Sequence, residues 1–277
     1  MPRTERESTA YDLAGQWWEL PMRERVRRFR RLKPDQAQQL FFDLGPREQA
    51  ELVLALPPAE RLLWVRALEP DEAADLVQEA PEAERPALVA LLDETTRREV
   101  AALLTYRDDV AGGLMNPRFA ALRPEMTAGE ALGYVRRFAR EQAETGRPYY
   151  AYVLDPDRRL LGVVSLHELL GADPDAPVRD LMRTQVVTVP ADADQETVAA
   201  LFRRYRLLAL PVVDGDRRVV GVVTVDDIVD VLQEEATEDI HRLGGVEALD
   251  VPYTRVPFGR LLRKRAGWLA LLFLGES

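Results

Sequence analysis

The sequence predicts a multidomain protein of the α plus α/β class: an α-helical superhelix, then two consecutive β-α-β-β-α units, then a connecting helix. Three features predict this arrangement. A short leucine–proline motif recurs in the first third of the chain, a longer segment occurs twice in the middle, and an acidic, helix-forming stretch follows the second copy. The length of 277 residues is sufficient for about two domains of ordinary size.

The leucine–proline motif recurs every twelve residues, at Leu32–Pro34, Leu44–Pro46, Leu56–Pro58 and Leu68–Pro70. Proline favours the first position of a helix, where its missing N–H would have no partner in any case. Apolar residues follow each proline at helical spacing, so each unit predicts one short helix and a turn. Helices this short bury an apolar face only by stacking on their neighbours, which predicts a superhelix of undetermined hand.

The longer repeat aligns VLDPDRRLLGVVSLHELL at 153–170 with VVDGDRRVVGVVTVDDIV at 212–229. In both copies a strand, an Asp-containing turn, a second strand and a helix follow each other. The β-branched runs Leu160–Val164 and Val219–Val223 lie between turn signals, as expected for strands. A matching extended segment and helix precede each copy, so each unit reads β-α-β-β-α.

Residues 223–240, VTVDDIVDVLQEEATEDI, gather carboxylates with few basic side chains nearby. Helical spacing places several of them on one face, where like charges destabilise the helix slightly. A solvated acidic face is one interpretation, and a cation site is the other. Oxygen ligands without His or Cys suit a hard divalent cation, and the absence of cysteine excludes thiolate sites and disulfides. The net charge of −10 argues against a nucleic-acid partner.

The C-terminal segment RLLRKRAGWLALLFLGES passes from a basic cluster into the apolar run 266–274. This run is shorter than the about 20 residues that span a bilayer. It is either an amphipathic terminal helix or the start of a transmembrane helix that continues beyond residue 277. Under the second interpretation, the positive-inside rule places the upstream residues in the cytoplasm.

The paired units, with LMNP at 114–117 and GVVTVDD at 221–227, resemble a tandem of cystathionine-β-synthase-type (CBS) domains. The strings AGGLMNP and TVDDIVDVLQEEATEDIHRLG, together with the preceding helical repeat, resemble the cytosolic half of MgtE-type magnesium transporters. From this resemblance we predict a tail at 1–19, a helical N domain at 20–109, CBS domains at 110–178 and 179–238, a connecting helix at 239–262 and the start of a transmembrane helix at 263–277.

The resemblance implies a magnesium-sensing regulatory region in which Mg²⁺ ions hold the helical domain against the CBS pair and close a membrane pore. It further implies a homodimer at the cytoplasmic face of the cell membrane, without enzymatic activity. The family's ion-binding positions correspond here to Asp71, Asp75, Gly113, Glu196, Asp227, Asp230, Glu235, Glu238 and Asp239. Two positions depart from the family pattern: Gln39 stands where Glu is frequent, and Arg206 stands where an acid can occur.

CBS pairs also bind adenine nucleotides, and the alternative function is a nucleotide-sensing CBS protein without a transport role. The residues that the resemblance assigns to ATP or another adenine nucleotide are Tyr149, Tyr150, Ser165, Thr224 and Asp227. Either tyrosine would stack on the base, Thr224 would face a phosphate and Asp227 would face the ribose hydroxyls. Thr224 is also suited simply to capping the helix that follows it.

Overall fold

The structure, a computed structural model, describes residues 10–141 and 149–229, with side chains from residue 13 onward. A helical unit comes first and two CBS units follow, each with its own three-stranded sheet. The predicted fold class is therefore confirmed. The connecting helix predicted at 239–262 and the apolar end of the chain lie outside the described residues.

The helices of the first unit are short and closely spaced along the chain. They are α1 Ala10–Gln16, α2 Met22–Phe29, α3 Pro34–Phe42, α4 Pro46–Ala55, α5 Pro58–Val65, α6 Pro70–Glu79, α7 Arg85–Val89 and α8 Glu94–Leu103, with a 3-10 turn at Trp17–Glu19. The repeated prolines begin α3, α4, α5 and α6 at their first residues, as the motif predicts. The sequence motif thus marks where four successive helices start.

Alternate helices pack against each other: α1 on α3, α2 on α4, α4 on α6, and α6 on α8. Their inward faces form one core around Leu40, Leu52 and Leu76, which are fully buried. Leu13 and Trp17 also belong to this core. The predicted tail at 1–19 therefore needs correction, because the packed helical unit begins before residue 20. The leucine–proline motif gave no sign of this first helix, since α1 lacks it.

The two CBS units repeat the same order of elements. The first contains α9 Ala111–Leu114, β1 Ala121–Leu122, α10 Ala128–Glu141, β2 Tyr150–Leu154, β3 Leu160–Ser165 and α11 Leu166–Gly171. The second contains α12 Val178–Leu181, β4 Val189–Pro190, α13 Gln195–Tyr205, β5 Ala209–Val213 and β6 Val219–Thr224, followed by helical residues 225–229. In each sheet the central strand is parallel to the first strand and antiparallel to the third.

The short segment between the first helix and the first strand of each CBS unit pairs with the sheet of the other unit. Asn116 and Val222 exchange two backbone hydrogen bonds of 2.9 Å, and Arg183 and Val163 do the same. A side chain on the strand glycine facing each segment would collide with a methionine. A Cβ at Gly221 would lie 2.6 Å from the sulfur of Met115. The Leu-Met and Gly-Val-Val motifs are therefore the two halves of one contact between units.

Within residues 10–141 and 149–229, no helix combines the length and apolar character that crossing a membrane requires.

Candidate functional site between the helical unit and the second CBS unit

One face of α6 carries two aspartates one helical turn apart. Pro70 begins the helix, and the Glu69 backbone N–H donates to the Glu72 carboxylate at 2.9 Å, half of a capping box. Asp71 follows in the first turn, where the helix dipole stabilises an acid. Asp75 lies four residues further on and therefore on the same face. The sequence thus determines locally that α6 presents a pair of carboxylates.

Asp227, from the second CBS unit, lies near this face. Its carboxylate accepts hydrogen bonds from the Thr224 backbone N–H at 3.0 Å and from the Thr224 hydroxyl at 2.6 Å. These bonds position Asp227 at the first turn of the helix that leaves β6. The Thr224 hydroxyl is used within this turn, which agrees with the local interpretation that Thr224 caps the helix that follows it.

Burial and mutual repulsion raise the pKa of three carboxyl groups on α6. Burial raises the pKa of Asp71 well above its ordinary range, and the charge of Asp227 raises it further. Burial raises the pKa of Asp75 to about 7, and the charge of Asp227 is again the largest contribution after burial. Glu72 reaches about 7 through burial, with Glu69 and Asp227 adding to it. The contact between α6 and the second CBS unit therefore brings together carboxyl groups whose charged forms are disfavoured by burial and by one another.

Two residues of the segment after α9 join the domains, and the sequence did not identify them as site residues. The side-chain amide of Asn116 donates to Asp71 at 3.1 Å and to Glu69 at 3.4 Å. Arg118 donates to the Glu99 carboxylate at 2.7 and 2.9 Å. Asn116 belongs to the LMNP string. Its polar side chain, next to the Leu-Met pair that contacts the other unit, is the sequence feature that could have identified it as a site residue.

The other predicted ion-binding positions are distributed more widely. Gly113 is buried in α9, and a Cβ there would collide with the carbonyl oxygen of Arg107. Glu196 is exposed in the first turn of α13. Gln39 and Arg206, which differ from the residues frequent in the family at these positions, are also exposed. Among the residues that the structure describes, no three or more His, Asp or Glu side chains are arranged to hold a metal ion. The remaining predicted ligands lie outside the described residues: Asp230, Glu235, Glu238 and Asp239.

A cavity of about 790 Å³ opens between the helical unit and both CBS sheets. Four of the predicted nucleotide-site residues line it: Tyr149, Tyr150, Thr224 and Asp227. The fifth, Ser165, is not among the lining residues, and its hydroxyl instead accepts from the Glu168 N–H at the start of α11. The helical unit contributes lining residues from α3 and α6. Asp71, Glu72 and Asp227 therefore belong both to the cavity wall and to the contact between the carboxyl groups.

Comparison with known proteins accounts for both halves of this architecture. Residues 8–109 match the profile of the MgtE intracellular N domain, and residues 107–175 and 178–234 match that of the CBS domain. Over 184 residues, or 66% of its length, the chain is 50% identical to the magnesium transporter MgtE of Thermus thermophilus. The chain belongs to the MgtE family.

Solved structures with MgtE-type architecture extend the similarity to three dimensions. The cytosolic domain of the Mg²⁺ channel MgtE in complex with ATP is 42% identical, with a TM-score of 0.74 over 80% of this chain and 90% of that one. The soluble part of a magnesium transporter is 28% identical, with a TM-score of 0.62 over 82% and 93% of the two chains. This MgtE-family chain spans about 40% of the length of the MgtE magnesium transporters that it matches.

Proposed function

We propose that this MgtE-family chain is the magnesium-sensing regulatory region of a Mg²⁺ channel or transporter, and not an enzyme. The observation that carries the proposal is the crowding of Asp71, Glu72 and Asp75 against Asp227 across the domain boundary. A cation bound among these carboxylates would neutralise their mutual repulsion, which otherwise destabilises the contact between the two domains. The relatives that share this architecture are named magnesium transporters, which supports Mg²⁺ as the ion.

Magnesium suits the contact between α6 and the second CBS unit, because this contact offers few protein ligands to any one ion. It usually retains several bound waters and takes one or two carboxylates from the protein. Asp71 and Asp75 on one side, and Asp227 with Asp230 on the other, are the proposed ligands of bridging ions. Gly113, Glu196, Glu235, Glu238 and Asp239 are the proposed positions for further ions. A millimolar affinity, about −4 kcal/mol per ion, suits a sensor.

The proposed control of the pore follows from linkage. Ions that bind the closed arrangement and not the open one shift the population toward closure, and several weak ions together make the shift steep. At low Mg²⁺ the helical unit would move away from the CBS pair. The predicted connecting helix would then transmit the change to a membrane pore domain, with the present chain at the cytoplasmic face of the cell membrane.

Flux through the full-length protein in proteoliposomes tests this proposal. Magnesium at about 10 mM on the regulatory side should suppress Mg²⁺ entry for the wild type, because it saturates sites of millimolar affinity. The triple variant Asp71→Asn, Asp75→Asn, Asp227→Asn should pass Mg²⁺ with at most a twofold response to the same addition. Flux in the wild type that ignores magnesium on this side would contradict the regulatory role.

We further propose that adenine nucleotide binds in the cavity, as the alternative interpretation of the CBS pair requires. The cavity is large enough for a nucleotide, and Tyr149 and Tyr150 supply aromatic faces for a base. The related cytosolic domain in complex with ATP supports the same class of ligand here. Nucleotide binding and ion sensing are compatible, and equilibrium dialysis with ATP measures the former.

We also propose that the chain forms a homodimer through its CBS units. Leu170 on α11 is 58% exposed, and Val229 in the helical turn after β6 is 45% exposed. The variant Leu170→Glu, Val229→Glu should shift the mass from dimer to monomer, because it places charges on apolar surface. Light scattering at high protein concentration and high Mg²⁺ measures the mass. Leu63→Glu on α5, where leucine is 68% exposed, is the control that should remain dimeric. A monomeric wild type would contradict the proposal.

A further inference from the structure

The backbone around Arg118 is fixed to both CBS sheets. Two residues before it, Asn116 exchanges two hydrogen bonds of 2.9 Å with Val222 on the sheet of the second unit. Two residues after it, the carbonyl of Ala120 accepts from the Tyr152 N–H at 2.8 Å on the sheet of the first unit. The Arg118 N–H itself donates to the side-chain oxygen of Asn116 at 2.8 Å. Arg118 therefore starts from a point that moves with the CBS pair.

The guanidinium of Arg118 reaches into the helical unit. It donates to the Glu99 carboxylate at 2.7 and 2.9 Å and to the Thr96 hydroxyl at 2.8 Å, both on α8. The carboxylate of Glu69, just before α6, lies 3.9 Å from another nitrogen of the same group. The side chains of Arg118 and Glu99 are 23% and 24% exposed. Water and salt therefore screen this pair less than they screen an exposed pair.

The two acceptors on α8 are held in place by the capping of that helix. The carboxylate of Asp93 accepts from the Thr95 and Thr96 N–H groups at 3.0 and 3.1 Å. It also accepts from the Thr96 hydroxyl at 2.7 Å, which leaves the lone pairs of that hydroxyl for Arg118. Glu99 follows Thr96 by three residues and therefore lies on the same face of α8. Local sequence thus prepares α8 to receive a guanidinium.

The two sides of the domain boundary are therefore held by different kinds of cation. On the α6 side, an exchangeable ion is the proposed bridge between Asp71 and Asp227. On the α8 side, the cation is Arg118, which belongs to the chain and stays protonated at every physiological pH. The chain also runs from α8 into α9, where the Ala111 N–H donates to the Ala193 carbonyl of the second CBS unit at 2.8 Å. Loss of ions from solution thus weakens the α6 side and leaves both attachments of α8 in place.

We propose that Arg118 is a built-in cation that keeps α8 attached to the CBS pair when magnesium leaves, so that the helical unit pivots about α8 and does not detach. The inference rests on the proposed magnesium sensing and adds the direction of the opening. Arg118 is a positioning residue that binds no ion and favours the closed arrangement equally at every magnesium concentration. A closing equilibrium that is already favoured in this way needs less magnesium for completion.

Magnesium titrations followed by small-angle scattering test the effect of Arg118 on closing. Arg118→Met retains the apolar stem and removes the charge. It should raise the magnesium midpoint of compaction about threefold, because loss of a charge-assisted contact lowers the closing constant about tenfold and two bridging ions share that loss. Arg118→Lys, which keeps the charge but not the paired N–H groups, should stay within about twofold of the wild type. Arg136→Met removes an exposed arginine of α10 and is the matched control, with the wild-type midpoint.

A double-mutant cycle assigns the effect to the contact with α8. Glu99→Gln alone should raise the midpoint about as much as Arg118→Met, and the double variant should remain about threefold above the wild type, because both substitutions break the same contact. Additive shifts in the double variant would show that Arg118 acts elsewhere and would overturn the inference.

The radius of gyration in EDTA tests the pivot itself. Arg118→Met should have a larger radius than the wild type in EDTA, because a detached helical unit extends further than a pivoted one. Equal radii of the two proteins in saturating magnesium establish that the variant is folded. If Arg118→Met does not fold, Glu99→Gln, which leaves the arginine in place, undergoes the same comparison.

Two further results would contradict the inference and are distinguishable. A wild type that compacts in magnesium, with Arg118→Met and Glu99→Gln sharing its midpoint or its radius in EDTA, would overturn the pivot and leave magnesium sensing intact. A wild type whose radius ignores magnesium would remove the proposed sensing, and the inference with it.

Discussion

Removal of magnesium is expected to expand the wild-type protein, whereas the variant Asp71→Asn, Asp75→Asn, Asp227→Asn is expected to keep one size in both conditions. Two unit charges 4 Å apart repel by about 1 kcal/mol in water and by about 4 kcal/mol near a protein surface. We expect the carboxylates at the α6 boundary, once ionised, to repel each other by more than a small polar contact supplies, so the helical unit should separate from the CBS pair. The amides preserve the shape of the carboxyl groups and remove both the repulsion and the ion ligands.

Small-angle scattering measures this difference directly, with chelator and then with about 20 mM Mg²⁺, well above a millimolar affinity. The wild-type radius of gyration should fall by a few ångströms when magnesium is added, and that of the variant should not change. The charge-matched control Asp175→Asn, Asp192→Asn, Asp216→Asn removes three exposed aspartates and should respond as the wild type does. A wild-type radius that is independent of magnesium would mean that the carboxylates form only a solvated face.

Without magnesium, the thermal stability of the protein is expected to fall as the pH rises from about 4 to about 7. Glu72 and Asp75 have pKa values of about 7 in the folded protein, above their ordinary values of 4.5 and 3.8. Between the ordinary and the raised values, the folded state binds more protons than the unfolded state, so its stability decreases with pH. The contribution is complete below the ordinary pKa and lost above about 7.

The size of the effect follows from the free energy of proton binding. One pKa unit corresponds to about 1.4 kcal/mol, so the two groups together should contribute a few kcal/mol. Separation of the domains limits the loss, because it returns both carboxylates to water. The first melting transition in EDTA should therefore decrease by about 5 °C between pH 5 and pH 8.

A matched variant separates this contribution from other titrations. Glu72→Gln, Asp75→Asn should have a flatter melting profile than the wild type over the same pH range, since neither amide titrates. Saturating magnesium should also flatten the wild-type profile by stabilising the charged form. A variant whose profile keeps the wild-type slope would show that these two groups do not carry the pH dependence.

Local chemistry allowed much of the fold to be predicted from the sequence. Proline at Pro34, Pro46, Pro58 and Pro70 determines helix starts without reference to any distant residue. The alternation of apolar runs and Asp-containing turns determines β2–β3 and β5–β6 in the same way. The first helix was missed because its burial, at Leu13 and Trp17, depends on packing against α3 and not on a local signal.

In the candidate site, too, the local features could be predicted from the sequence and the long-range contacts could not. The sequence by itself determined that α6 presents Asp71 and Asp75 on one face and that an acidic turn follows β6, because helical spacing and capping are local properties. Only the tertiary structure decided that Asp227 faces α6, that Asn116 reaches Asp71 and that Tyr149 and Tyr150 share a cavity with these acids. Asn116 and Asp71 are 45 positions apart. Their contact depends on the path of the chain through α7, α8 and α9, and such a path is set by long-range packing of the core.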